Sequence, residues 1–297
     1  MLNILGKKYL FLIASGILVL ASVISVLIWG LKPGIDFTGG SLLEIEYKDA
    51  RPDLQVVKKN IEPLDIGNVT VQFTGERGAL LRFKHIDEAK HIEIIQVLGG
   101  SEKVAEKRFD TIGPTIGEEL KRRSILAIVL AIIGIVLYIT FVFRQVSRPV
   151  SSWKYGVVTI WALIHDVMIP IGIFSILGHF RNVEVDTLFI TALLTILGFS
   201  VHDTIVVFDR IRENLRKLKV AETYETTVNR SINETLTRSI NTSLTVLIIL
   251  LAIFFFGGET TRYFALALIF GIIFGTYSSI FVASPLLVIW HNLTKKR

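Results

Sequence analysis

The chain contains no cysteine among its 297 residues, so disulfides, thiolate metal centres and cysteine nucleophiles are all excluded. A phosphate-binding loop is missing too. Neither "GGSLLE" nor "GERGALL" has the GxxxxGK[ST] spacing that lets backbone amides cradle phosphate. Energy for any work must then come from an ion gradient or from a partner. The polar segment 31–123 holds no cluster of His, Asp and Glu at metal-ligand spacing. The expectation is a chain that is not an enzyme and carries no cofactor beyond a coupling ion.

Apolar sequence is abundant. Hydrophobic residues make up 51% of the chain, and the mean hydropathy is +0.57. The apolar residues gather into six runs of membrane-spanning length, at 9–30, 124–143, 153–178, 188–208, 239–256 and 264–290. The first is too long for a cleaved leader and has no small-residue cleavage site before Leu31, so it reads as a retained span. A net charge of +6 does not suggest nucleic acid, because the charges collect at the ends of the spans as topology signals. Lys7 and Lys8 precede the first span. Arg144, Arg148 and Lys154 separate the second and third. Arg210, Arg212, Arg216, Lys217, Lys219 and Arg230 separate the fourth and fifth, and Lys295, Lys296 and Arg297 follow the sixth. All four groups fall on one side if both termini are cytoplasmic. The expected organisation is a cytoplasmic N-terminus and first helix over 1–30, an extracytoplasmic domain over 31–123, and helices two to six over 124–297 with a cytoplasmic loop at 209–238.

Segment 31–123 has its own pattern. "SLLEIEY" alternates as a strand, "PDLQVVKKNIEPL" and "IDEAKHIEIIQVLGG" have helical spacing, "NVTVQFTGERGALLRFK" reads as a hairpin, and "KVAEKRFDTIG" as a last strand. The order β-α-β-β-α-β is that of a ferredoxin-like α+β unit, read here as a binding or mechanical domain. "LKPGIDFTGGSLL" joins the first span to it. Pro33, Gly34, Gly39 and Gly40 forbid a continuing helix, so the stretch with Asp36 is either a simple turn or a hinge that positions the domain.

Two dipeptides interrupt the apolar spans: His165–Asp166 and His202–Asp203. An ionisable group at bilayer depth costs about 2.5–3.5 kcal/mol on insertion scales, so such groups face a cavity or a partner and mark ion pathways. Arg238, at the start of the fifth span, is the cation placed to answer Asp203. The pair would form a proton relay with Asp203 as carrier, Arg238 as tuner and Asp166 as a further candidate. The plainer alternatives stay open at this point. Arg238 would be an interfacial anchor and Asp203 a structural carboxylate bonded to Ser200 or Thr204. Asp166 would stabilise the helix irregularity at Pro170, and His165 and His202 would be satisfied bundle histidines. Below Asp203 the charged run Asp209, Arg210, Arg212, Glu213 lies at the membrane edge, with Asp209 able to pair with Arg212.

"GIDFTGG" after the first span, "HD" in the third, "DTIVVFDRIREN" in the fourth and "TLTRSINTSLT" into the fifth resemble the SecF branch of the SecD/SecF family, within the resistance-nodulation-division superfamily. The resemblance covers nearly the whole chain in order. It implies a half-bundle in the bacterial cytoplasmic membrane that needs SecD for its other half. It further implies work beside the SecYEG channel, with YajC as a possible companion, on an unfolded preprotein, amid membrane lipid and with no nucleic acid. It also implies that Asp203 and Arg238 carry the coupling of H⁺ to late-stage export. Na⁺ would serve a lone carboxylate equally well. Where the family commonly has Asn, this chain has His202, which adds His202 to the candidates for tuning. Three other readings compete. These are another proton-coupled exporter of lipid or small molecule, an intramembrane aspartyl protease built on Asp166 and Asp203, and a structural scaffold. The GxGD signature of such proteases is absent, and the two His-Asp pairs show no clear metal spacing.

Overall fold

The computed structural model describes residues 2–143, 152–217 and 222–295. Arg144, Arg148, Lys219, Lys296 and Arg297, counted above among the orienting charges, lie outside the described residues. The chain divides into two compact units, residues 33–125 and residues 1–32 with 126–297.

The smaller unit is a four-stranded antiparallel sheet in the order β2-β3-β1-β4. Its elements are β1 (Gly40–Tyr47), α1 (Leu54–Ile61), β2 (Thr70–Thr74), β3 (Gly78–Phe83), α2 (Glu88–Val97) and β4 (Val104–Ile112). Leu43, Ile45 and Tyr47 of β1 are buried, while the alternating Leu42, Glu44 and Glu46 are only partly covered. This is the two-residue period that lets one face of a sheet pack and the other meet water. The covered face meets Val57 and Ile61 of α1 and Ile94 of α2 in one core with Leu81 and Phe83. Asp87 caps α2, its carboxylate accepting from the Lys90 N–H at 2.9 Å.

The junction before β1 departs from a plain turn. Residues Ile35–Thr38 form one helical turn with Asp36 in it, preceded by an extended Gly34. Gly39 and Gly40 follow at φ of +71° and +129°. A Cβ at Gly39 would lie 2.8 Å from Pro114 Cα, and one at Gly40 would lie 2.8 Å from the Phe83 carbonyl oxygen. The two glycines are required because backbone passes backbone there, in conformations that other residues avoid.

The larger unit is the membrane bundle. Its helices are α3 (Pro114–Val142), which begins within the smaller unit, α4 (Ser152–Arg181), α5 (Thr187–Arg216), α6 (Tyr224–Phe256), α7 (Glu259–Ser278) and α8 (Ser284–Lys295). To these is added the N-terminal helix Lys8–Trp29, and a π-turn at Ser279–Ala283 joins α7 to α8. Among the described residues, six stretches are long and apolar enough to cross a membrane. Those in α4, α5 and α7–α8 are half buried or more, and those in the N-terminal helix, α3 and α6 are mostly uncovered. Large apolar side chains such as Leu27, Leu137 and Phe256 point outward, as a lipid-facing surface requires.

Within the connection expected at 209–238, α5 continues to Arg216 and α6 starts at Tyr224, so its described residues are mostly helical. The cause is charge spacing, since Glu213 pairs with Lys217 four residues on, and Arg210 pairs with Glu213 three residues on.

Candidate functional site

Asp166 sits at the middle of α4 with no exposed surface. Pro170 lies four residues later inside the same helix. It has no N–H to give, so the Asp166 carbonyl loses its helical donor. The Asp166 carboxylate is fully engaged. Oδ1 lies 2.8 Å from His165 Nδ1, and Oδ2 accepts from the Ser200 hydroxyl of α5 and, at 2.7 Å, from the Ser278 hydroxyl of α7. His165 is itself buried, its ring stacked on Tyr277 at 6.0 Å and meeting Phe274 edge-on. Its Nε2 is buried without a hydrogen-bond partner.

Asp203 lies on α5 one turn below Ser200 and is 8% exposed. Its Oδ1 accepts from Ser239 Oγ at 2.6 Å, and its Oδ2 is buried without a partner. The next residue, Thr204, is fully buried and meets the Ser279 hydroxyl at 3.0 Å. The two carboxyls thus stand in one hydroxyl-rich interior, and each takes its own serines. They do not hydrogen-bond to each other, so the shared-proton dyad of an aspartyl protease is not formed.

The expected Asp203–Arg238 ion pair is not made in this structure. Helix phase is the reason: neighbouring residues point about 100° apart, one turn being 3.6 residues. The phase of α6 turns Ser239 and Ser243 inward, where both are buried, and Arg238 outward, where it is exposed. Ser239 therefore takes the place expected of the cation. His202 is likewise exposed, one residue from the buried Asp203. Along α6 the exposed Arg238 is followed by exposed Asn241, Thr242 and Thr245. On α5, His202 continues a strip of exposed Thr191, Thr195 and Gly198. The bundle therefore carries a polar surface at a depth where its neighbours are apolar.

Arg238 also lines a cleft of about 290 Å³ with Asp209, Arg210, Glu213 and Glu234. Within the cleft Arg210 joins the two helices, donating from Nη1 to Glu213 at 2.5 Å and from Nε to Glu234 at 2.6 Å. Asn214 Nδ2 donates to Ser231 Oγ at 2.9 Å and to Glu234 at 2.7 Å. Arg212 and Asp209 approach to 3.9 Å, the pairing that their spacing suggests. Sequence reading missed Glu234 and Asn214, although Arg230 and Glu234 have the i,i+4 spacing of a helical pair. It also missed Ser239, Ser278 and Ser279, and it gave Ser200 to Asp203 where the structure gives it to Asp166. Among the described residues, no three His, Asp or Glu side chains converge as metal ligands.

Residues 94–293 match the family described as "Protein export membrane protein SecD/SecF, C-terminal", and residues 24–50 match the "SecD/SecF GG Motif". The chain is 45% identical to the protein translocase subunit SecF of Thermobaculum terrenum, over 98% of this chain and 95% of that one. It is also 45% identical to that of Anaerolinea thermophila, over the same shares. The crystal structure of SecDF, a translocon-associated membrane protein from Thermus thermophilus, superposes with a TM-score of 0.83 at 35% identity. That superposition covers 98% of this chain and only 39% of the longer one.

Proposed function

The chain belongs to the SecD/SecF protein-export family, on the SecF side, and from that premise we propose that it couples an ion gradient to preprotein export. In this reading it supplies one half of a bundle whose other half is SecD. Asp203 takes up and releases the coupling ion, H⁺ or Na⁺, with Asp166 as a second carboxyl of the same interior. His165 and His202 tune them from the two adjoining positions. Arg238 answers Asp203 in part of the cycle, when the partner half covers the polar face that it now shares with His202. Both termini are cytoplasmic, which puts the 33–125 unit outside, where it meets the unfolded chain leaving the SecYEG channel. The helical turn at Asp36 and the close-packed Gly39 and Gly40 set the placement of that unit, and YajC and membrane lipid are further neighbours. No covalent chemistry is assigned to the chain.

The observation that carries the reading is Asp203 Oδ2, a buried carboxylate oxygen with no hydrogen-bond partner. An unsatisfied buried acceptor beside an unpartnered polar surface calls for an ion, a water or a second subunit. The alternative of a lipid or small-molecule exporter is not favoured by relatives named as protein translocase subunits.

The test is gradient-stimulated export of a secretory preprotein into membrane vesicles that hold the chain with SecD. Asp203→Asn is expected to remove the gradient-dependent part, at least tenfold, with assembly intact. Arg238→Ala is expected to reduce it strongly. Full stimulation in both variants would make these residues structural and end the relay reading.

A further inference from the structure

The π-turn at Ser279–Ala283 interrupts the last span at the depth of the two carboxyls. Such turns are rare and gather at functional sites, because an extra residue in the turn redirects the side chains around it. Here it begins at the second of two consecutive serines with no exposed surface. Ser278 donates to Asp166 Oδ2 at 2.7 Å, and its hydroxyl also lies 3.0 Å from the Gly275 carbonyl. Ser279 donates to the same Gly275 carbonyl at 2.9 Å, which leaves its oxygen free to accept from Thr204 at 3.0 Å. Ser284, also fully buried, donates to the Ser279 carbonyl at 3.0 Å across the five-residue turn. Gly275 permits the approach of α7, since a Cβ there would lie 3.3 Å from Ser200 Cβ.

One segment of the last span therefore touches both carboxyl sites. We propose that Ser278 and Ser279 are positioning residues that bind Asp166 and Asp203 into a single ion-binding centre, with the π-turn as the element that holds both hydroxyls in place. This rests on the relay reading above and adds to it the residues that set how the two carboxyls behave together. Ser278 fixes Asp166 from α7 while Ser200 fixes it from α5. Ser279 reaches Thr204, next to Asp203 in the chain. Movement of the π-turn would alter both carboxyl environments at once.

The titratable groups around the pair are few. His165 adjoins Asp166 and Tyr277 stacks on its ring. His202 adjoins Asp203 on α5, and α6 contributes Ser239 with an outward Arg238. A hydroxyl donated to a carboxylate favours its ionised form, by about one to two pH units for a bond to a charged group.

The experiment uses the whole chain reconstituted with SecD in proteoliposomes, and reads gradient-driven preprotein export as a function of pH. Ser278→Ala is expected to shift the midpoint of the profile by roughly one unit toward alkaline pH. Ser279→Ala, which takes the partner of the Thr204 hydroxyl beside Asp203, should move the midpoint by less, and Ser278→Thr should keep the native midpoint. Ser175→Ala removes a fully buried serine that bonds only backbone carbonyls at Ser25 and Gly30. It should leave the midpoint where it is, whatever it does to protein level. Should Ser278→Ala fail to assemble, Ser279→Ala and Ser278→Thr still carry the comparison. If the serine profiles superimpose on the native one while Asp203→Asn is inactive, the positioning role is overturned and the relay stands. If Asp203→Asn is active at the native level, the relay itself falls, and this proposal with it.

Discussion

Glu46 in the sheet unit meets Lys107 at 2.7 Å with both side chains about half exposed, whereas Asp166 in the bundle meets two serines and an imidazole with no solvent at all. The first carboxylate is already satisfied by water, and its partner adds little. The second has left water entirely, and its partners replace the hydration shell. Other ion pairs of the sheet unit, such as Lys90–Glu93, lie on its exposed side too. In the bundle the Arg210–Glu234 ion pair stays part-exposed, while the buried Asp166 and Asp203 are answered by hydroxyls and, at Asp166, an imidazole. A serine can answer a buried carboxylate without burying a second charge. It leaves the site able to take an ion, which a permanent arginine partner would oppose.

The contrast is sharpest if Asp166 is removed. Asp166→Ala would strand the Ser200 hydroxyl and His165 Nδ1 without their buried acceptor, while Ser278 keeps the Gly275 carbonyl at 3.0 Å. Each buried polar group left unsatisfied costs about 1–3 kcal/mol, and with two such groups this is the largest single effect expected in this chain. Thermal unfolding of the purified chain in detergent should show it as a fall of several degrees, with Asp166→Asn intermediate. An Asp166→Ala protein as stable as the native one would mean that the hydroxyls find other partners, and the contrast between the two units would fail.

Leu81→Ala tests whether the sheet unit stands by its own core. Leu81 is fully buried between β1 and the helices of that unit. Losing its side chain should cost about 3 kcal/mol by transfer and cavity terms together. Limited proteolysis should then cut within 33–125 while the bundle fragments keep their native resistance. Equal loss of protection in both units would show one cooperative structure and not two.

Much of the fold was legible because two periodicities are written plainly in the chain. Runs near twenty apolar residues mark the spans, and the alternation Leu43, Ile45, Tyr47 marks the buried face of β1. Asp166 and Asp203 stood out for a similar reason, since an acid in an apolar run must face a cavity or a partner. Their partners were not. Arg238 was chosen by charge and depth, and those two criteria cannot see helix phase. A rotation of one residue exchanged it for Ser239. Serines are frequent in membrane helices, so Ser200, Ser278 and Ser279 gave no signal until three helices were brought together. The π-turn at "SIFVA" left no mark in the apolar periodicity of its span. The hairpin at 209–238 could have been read as helix from Glu213–Lys217 and Arg230–Glu234, had charge spacing been weighed above polarity.

The smallest effect belongs to Glu46 and Lys107. Lys107 donates to Glu46 and its charge adds to the hydrogen bond, which holds the Glu46 carboxyl below its ordinary value of 4.5. The sign follows from that depression. The contribution of Glu46 is present above the unfolded value and is lost as pH falls through the lower folded one, so the loss is confined to acid below about 4.5. Both side chains are open to solvent and screened, and each is tied to a rotamer that costs entropy to hold. Glu46→Gln and Lys107→Ala should therefore each leave the unfolding midpoint at neutral pH within experimental error, and the double variant should show no coupling at physiological salt. At low salt and neutral pH a weak coupling should emerge, and at pH 3 it should fade again. A strong coupling at neutral pH and high salt would place this pair in the same class as Asp166, and would show that the open face of the sheet is covered by something that keeps water from it.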